Sequence, residues 1–152
     1  MRFGHILGVA VWLGGMIFLG AVAIPVVRAV GDPGASRRLV TEVARRFAVV
    51  GGAAWLLILG TGFALLHHRH LTLSDLPHSD YGRRLLAKIC LLFAIGAAAL
   101  LHGLWQGPQV RRAEEAGREG ARRRWAMIGG LLDGFMLLAT LAALWLATSL
   151  VA

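Results

Sequence analysis

Four apolar stretches, each long enough to cross a lipid bilayer as a helix, occupy most of this chain of 152 residues. They cover residues 3–27, 47–66, 85–105 and 125–150. A hydrocarbon core of about 30 Å requires roughly 20 apolar residues per helix, so four spans with short connections leave no room for a second domain. The pattern therefore predicts one all-α transmembrane domain, an antiparallel up-down four-helix bundle embedded in the lipid bilayer.

The composition argues against a soluble protein and against a nucleic-acid-binding one. Only 16% of the residues are charged, compared with roughly 25% in soluble domains. The net charge is +8, but the arginines flank the apolar stretches and show no interleaving with aromatic residues that would indicate a nucleic-acid surface. Cys90 is the only cysteine, which excludes an internal disulfide.

Prolines, glycines and charged residues predict where the spans end. Pro25, Arg28 and the turn-rich residues 31–34 should together close the first span. Gly107 and Pro108 should end the third, because proline cannot extend a helix interior. Residues 71–84 have the composition of a loop, so the third span should open near Arg84. Residues 111–124 alternate basic and acidic side chains and predict a solvated helical extension.

The distribution of arginine and lysine predicts the orientation. Eleven of the sixteen basic residues lie around the connections between spans one and two and between spans three and four. Because cytoplasmic connections carry the excess of basic residues, both termini should lie on the outer side of a prokaryotic inner or plasma membrane. The eleven residues are Arg28, Arg37, Arg38, Arg45, Arg46, Arg111, Arg112, Arg118, Arg122, Arg123 and Arg124.

Four ionisable residues fall within or at the ends of the spans: His5, Lys88, His102 and Asp133. A charged side chain in a bilayer costs about 2.5–3.5 kcal/mol on insertion scales, so each is a functional candidate. His102 lies near the cytoplasmic end of span three, and Asp133 lies about two turns into span four from that same end. We expect them to meet as an inner pair, a candidate proton path.

An outer layer of histidines is the second candidate site. His5 opens span one, and His67 and His68 close span two at the same predicted surface. Two imidazoles from facing helices can ligate a haem iron. In that reading Lys88 shares the layer, and Arg69, Arg83 or Arg84 pairs with the haem propionates. The alternative is structural: the histidines cap a helix at the interface, and Lys88 extends toward water.

Two short patterns resemble known membrane families. The run from His5 through Trp12 to Gly15, with Pro25 and Arg28 after it, resembles the first helix of the copper-resistance D family. A helix with lysine near its start and histidine near its end, as in Lys88 and His102, resembles one in the HemJ-type protoporphyrinogen oxidases. The first resemblance implies a four-helix module. The second implies haem b and porphyrinogen- or quinone-linked redox chemistry.

The leading hypothesis from the sequence is a small haem b-binding protein that works in electron transfer or, as a haem-dependent oxidoreductase, in porphyrin oxidation. Its partner would be a quinone or a porphyrin. The first alternative is a carrier for copper or another metal ion that uses His5, His67 and His68. It ranks lower because the chain has only four methionines and no sulfur cluster suited to Cu(I). The second alternative is a noncatalytic subunit of a larger membrane complex, or a homodimer, whose glycines pack on partner helices.

Overall fold

The computed structural model describes residues 1–29, 32–68 and 76–148, and the part of the chain it describes is helical with no strand. All four long helices have the length and apolar composition needed to cross a membrane. The predicted all-α class with four spans is therefore confirmed. The helices are α1 (Arg2–Ala29), α2 (Pro33–His68), α3 (Asp80–Glu115) and α4 (Glu119–Thr148), with a short 3₁₀ turn at Leu76–His78.

The chain divides into two compact units, Met1–Thr72 and Leu73–Ala152. The first contains α1 and α2, and the second contains α3 and α4. Within each unit the two helices pack side by side as a hairpin. The single four-helix bundle expected from the sequence stays a prediction.

Small residues allow α1 and α2 to approach closely. A β-carbon at Gly8 would lie 2.9 Å from Cγ1 of Ile58 and 3.1 Å from the carbonyl oxygen of Ala54. One turn further along α1, the buried Trp12 ring lies with its centroid 6.4 Å from that of Phe47. Close backbone approach through small residues is the common way to pack helices where lipid removes the hydrophobic driving force.

The hairpin of α3 and α4 is held by aromatic and polar contacts near its connected end. Trp105 and Trp125 pack edge to face with ring centroids 4.9 Å apart. The side-chain amide of Gln106 donates to the carbonyl oxygen of Trp125 over 2.6 Å. Further from the connection, the core of this hairpin includes the buried residues Ile95, Ala98, Met136 and Ala139.

Pro25 lies inside α1 and is accommodated by a local change in the helix. A π-helical segment, Leu19–Ala23, precedes it, and the N–H group of Ile24 donates to the carbonyl of Leu19, five residues back. The helix then continues to Ala29. The wider turn accommodates a residue that has no N–H group and whose ring crowds the preceding turn.

Pro108 is accommodated in the same way. The π-helical segment Leu101–Gln106 precedes it, and the N–H group of Gly107 donates to the carbonyl of His102. The expected break of the helix at Gly107 and Pro108 is therefore wrong, because α3 continues to Glu115. The level at which this helix leaves the membrane stays a prediction. In both helices the residue directly before the proline makes the i to i−5 bond.

Two further boundaries differ from the sequence-based prediction. The helix α3 begins at Asp80 rather than near Arg84, because the Ser79 side chain accepts a hydrogen bond from the N–H group of Gly82 over 3.0 Å and caps the first turn. Residues 111–124 are not one helical extension. The chain turns at Gly117, whose φ of 64° is a left-handed conformation that favours glycine.

Candidate functional site in the membrane-spanning helices

His5 meets α2 at Thr61. Its Nδ1 atom lies 3.0 Å from the hydroxyl oxygen of Thr61, and that hydroxyl lies 2.5 Å from the carbonyl oxygen of Leu57. Because a threonine hydroxyl has one hydrogen, donation to Leu57 leaves it as an acceptor toward His5. This arrangement selects the His5 tautomer that carries its proton on Nδ1, so the lone pair resides on Nε2.

His67 and His68 occupy the last turn of α2 and are exposed. Thr61, the residue level with His5, precedes His67 by six positions, which is about 9 Å along a helix axis. His5 thus lies beside the Thr61–Gly62 part of α2, nearly two turns before His67. The pairing of His5 with His67 or His68 across a haem stays a prediction.

The other residues predicted for the outer layer belong to the second hairpin or lie outside the described residues. Arg69 lies outside the described residues. Arg84 is exposed and Lys88 is half-buried, and both belong to the first turns of α3. They therefore sit in the second hairpin, whereas His5, His67 and His68 sit in the first.

His102 of α3 and Asp133 of α4 form the inner pair that the sequence predicts. The Nδ1 atom of His102 lies 3.6 Å from Oδ1 of Asp133. This separation is within ion-pair range but longer than a hydrogen bond. The Nδ1 atom is buried and has no hydrogen-bond partner, whereas the Asp133 side chain is 60% exposed. The pair therefore combines an unsatisfied imidazole nitrogen with a carboxylate that is open to a further partner.

The local backbone of α3 explains how His102 is presented. His102 lies within the π-helical segment that precedes Pro108, and its carbonyl accepts the long-range bond from Gly107. A π turn rotates the residues before it relative to those after it, and such turns are frequent at functional sites. The proline thus fixes the rotation between His102 and Gln106, four residues later.

Gln106 lies next to His102 and Asp133 on the side of the connection between α3 and α4, and its sequence context does not predict this role. It is buried, bonds to the Trp125 carbonyl and packs directly on Gly129. Two sequence features point to a role for Gln106: it is an amide residue at the end of an apolar span, and the facing helix contains a glycine. Neither feature identifies a backbone carbonyl nineteen residues away as the partner.

The chemistry open to the inner pair is limited by its donor atoms. Imidazole nitrogen and carboxylate oxygen can exchange protons, and both can ligate a transition-metal ion. Among the described residues there is no group of three or more histidine, cysteine, aspartate or glutamate side chains that could hold a metal ion. The pair can thus supply two ligands to an ion that takes its others from elsewhere.

Comparison with known proteins supplies the family. The sequence model of the family described as copper resistance protein D matches residues 41–146, more than two thirds of the chain. The matched region includes most of α2, all of α3 and nearly all of α4. Neither a curated protein nor a solved structure gives a significant match. With its four apolar helices, the chain is an integral membrane protein that belongs to the copper resistance protein D family.

Proposed function

We propose that this protein handles copper ions at the membrane, as a small copper-resistance protein. The family match over residues 41–146 carries the proposal. It supports the copper alternative over the haem b hypothesis that led the sequence analysis. The low methionine content, which ranked copper lower, argues only against a path lined with sulfur. Nitrogen and oxygen ligands remain available for copper.

We assign the contact with copper to His102 and Asp133. Both lie inside the matched region, as do His67 and His68, whereas His5 precedes it. The buried Nδ1 atom of His102 without a hydrogen-bond partner supports this assignment. A buried polar atom is normally paired, and an orphaned one is a candidate to bind an ion. Imidazole nitrogen binds copper readily, and the carboxylate 3.6 Å away offers a second donor and a compensating negative charge.

A site with only two protein ligands suits an ion that passes through better than one that stays bound. Conduction requires a site that is favourable enough for the ion to enter and weak enough for it to leave. The exposed side of Asp133 leaves room for water or another side chain to complete the coordination. The same two groups are candidates for proton transfer, which would allow ion movement to be linked to protonation.

Copper flux into proteoliposomes tests both the function and the site. Purified protein is reconstituted with a copper-sensitive dye inside the vesicles, and flux is compared with that of empty liposomes. We expect the unmodified protein to move copper, and His102→Ala and Asp133→Asn each to reduce the flux by a factor on the order of ten or more. The matched control is His67→Ala, which removes an exposed imidazole from the end of α2. Loss of flux only in His67→Ala would transfer the site to the outer histidines.

A visible absorption spectrum separates copper handling from haem binding. Purified protein is measured in the oxidised state and again after reduction with dithionite. The proposal predicts no Soret peak in protein expressed with ample haem. A Soret peak with sharp reduced α and β bands, lost in His5→Ala, would instead support the haem reading with His5 as a ligand.

The predicted sidedness belongs to the same proposal. Both arginine-rich connections are assigned to the cytoplasm, which places the two termini outside. Reporter fusions at Met1 and after Ala152 check the assignment. An alkaline phosphatase fusion should be active at both ends, and an inactive fusion at either end contradicts the assignment.

A further inference from the structure

The connected end of the second hairpin forms a strongly basic surface. We call residues 111–124 the basic tip; it comprises the last turn of α3, the turn at Gly117 and the first turn of α4. It contains six arginines against three glutamates, and five of those arginines are exposed. The arginines are Arg111, Arg112, Arg118, Arg122, Arg123 and Arg124, of which Arg122 is only partly exposed and pairs with Glu119.

A pair of tryptophans marks the membrane level beside the basic tip. Trp105 and Trp125 pack edge to face, and tryptophan concentrates at the boundary between hydrocarbon and headgroups. Arg124 directly precedes Trp125, and Arg111 follows Trp105 by six residues, or about 9 Å. A headgroup layer is about 5–8 Å thick on each side of the hydrocarbon core. The arginine backbones therefore lie between the boundary and the outer edge of the headgroup layer, and their long side chains can reach the lipid phosphates.

Arginines from both helices lie on the connection side of this pair. The bond between Gln106 and the Trp125 carbonyl fixes an antiparallel register, so Arg111, five residues after Gln106, lies about level with Gly120, five residues before Trp125. Arg123 and Arg124 lie within one turn of Trp125 on the same side and are exposed. A guanidinium group binds phosphate through two parallel hydrogen bonds and is less strongly hydrated than an ammonium group.

We propose that the basic tip binds the headgroup phosphates of anionic phospholipids through Arg111, Arg112, Arg123 and Arg124. The proposed ligand is a phospholipid with a net negative charge, and phosphatidylglycerol is the lipid used to test its binding. This interaction does not depend on the proposed copper function. It would anchor the tip in the anionic leaflet and hold the Trp105–Trp125 pair at the membrane boundary.

Native mass spectrometry of the full-length protein tests the proposal. Detergent micelles carry equal amounts of phosphatidylglycerol and phosphatidylcholine, and the lipids retained by the protein are counted. The test variant is Arg123→Gln/Arg124→Gln, and its matched control is Arg83→Gln/Arg84→Gln. Each removes two adjacent arginines that lie directly before an apolar span, but Arg83 already pairs with Asp80.

We expect the unmodified protein to retain phosphatidylglycerol selectively. Because each arginine near an anionic surface contributes about fivefold to the binding constant, the Arg123→Gln/Arg124→Gln variant should bind about 25-fold more weakly. Arg123→Lys/Arg124→Lys, which keeps the charge, should retain most of the binding. Unchanged helicity by circular dichroism shows that the variants are folded.

Three results would overturn the proposal. The first is equal retention of the two lipids by the unmodified protein. The second is an equal loss in the Arg83→Gln/Arg84→Gln control, which would indicate a general effect of charge. The third is displacement of the lipid by millimolar glycerol phosphate, which would show that the tip binds a free phosphate ester as well as it binds a lipid.

Discussion

Gly129 faces Gln106 so closely that a β-carbon at position 129 would lie 2.7 Å from the Gln106 side-chain nitrogen. Gln106 cannot move aside without losing its 2.6 Å hydrogen bond to the Trp125 carbonyl. The amide is also buried, so water cannot readily replace that bond. The glycine is therefore part of the polar contact that joins α3 to α4 beside His102 and Asp133.

Gly129→Ala should consequently destabilise the protein. The added methyl group displaces the Gln106 amide and leaves a buried donor unsatisfied, which costs about 1–3 kcal/mol of the free energy of unfolding. The measurement is unfolding in mixed detergent micelles, monitored by circular dichroism. Gly130→Ala is the control, because a β-carbon there meets nothing within 4 Å. Equal unfolding free energies for the two variants would contradict the contact.

Gly8 provides a second matched comparison, in the first hairpin. A β-carbon at Gly8 would meet the backbone carbonyl of Ala54 at 3.1 Å, as well as Ile58 at 2.9 Å. Since backbone cannot rotate away, Gly8→Ala should push the helices apart and cost about 1–3 kcal/mol. Gly14→Ala meets nothing within 4 Å and should be neutral or up to about 1 kcal/mol stabilising through helix propensity. The same unfolding assay checks both, and a stable Gly8→Ala protein would disprove the close approach.

The sequence was sufficient to predict the four spans and the pairing of His102 with Asp133. Both follow from hydropathy and from the alternation of direction, which fix the depth of each residue in the membrane. Depth alone does not fix rotation about a helix axis. The contact of His5 with Thr61, and the bond from Gln106 to Trp125, depend on that rotation and were therefore not predicted.

The error at Pro108 has a different physical origin, which Pro25 shares. Proline at positions 25 and 108 removes a helical donor, which normally ends a helix. Here a π turn before each proline transfers the donor of the preceding residue to a carbonyl five positions back. In a membrane the alternative is an unsatisfied backbone in lipid, so continuing the helix with one wide turn is favourable.

The hydroxyl of Thr61 should contribute measurably to the first hairpin. Thr61→Val keeps the shape of the side chain but removes its oxygen, and with it the 3.0 Å contact to Nδ1 of His5. We expect a loss of about 0.5–1.5 kcal/mol in the free energy of unfolding. Thr61→Ser retains the hydroxyl and should keep most of this free energy. If Val and Ser destabilise equally, the methyl group rather than the hydrogen bond accounts for the effect.

Asp133 lies at the middle of α4 (Glu119–Thr148), where a carboxylate opposes membrane insertion. Replacing aspartate by leucine at the centre of a span should favour insertion by about 3 kcal/mol. Glycosylation of a tag placed after Ala152, in the full chain translated with microsomes, measures the inserted fraction. Gly134→Leu adds comparable apolar bulk beside it and should change this fraction less. If the Asp133→Leu protein inserts better but no longer moves copper, the carboxylate is kept for function. If insertion is unchanged, the charge of Asp133 is already compensated by His102 or by another group.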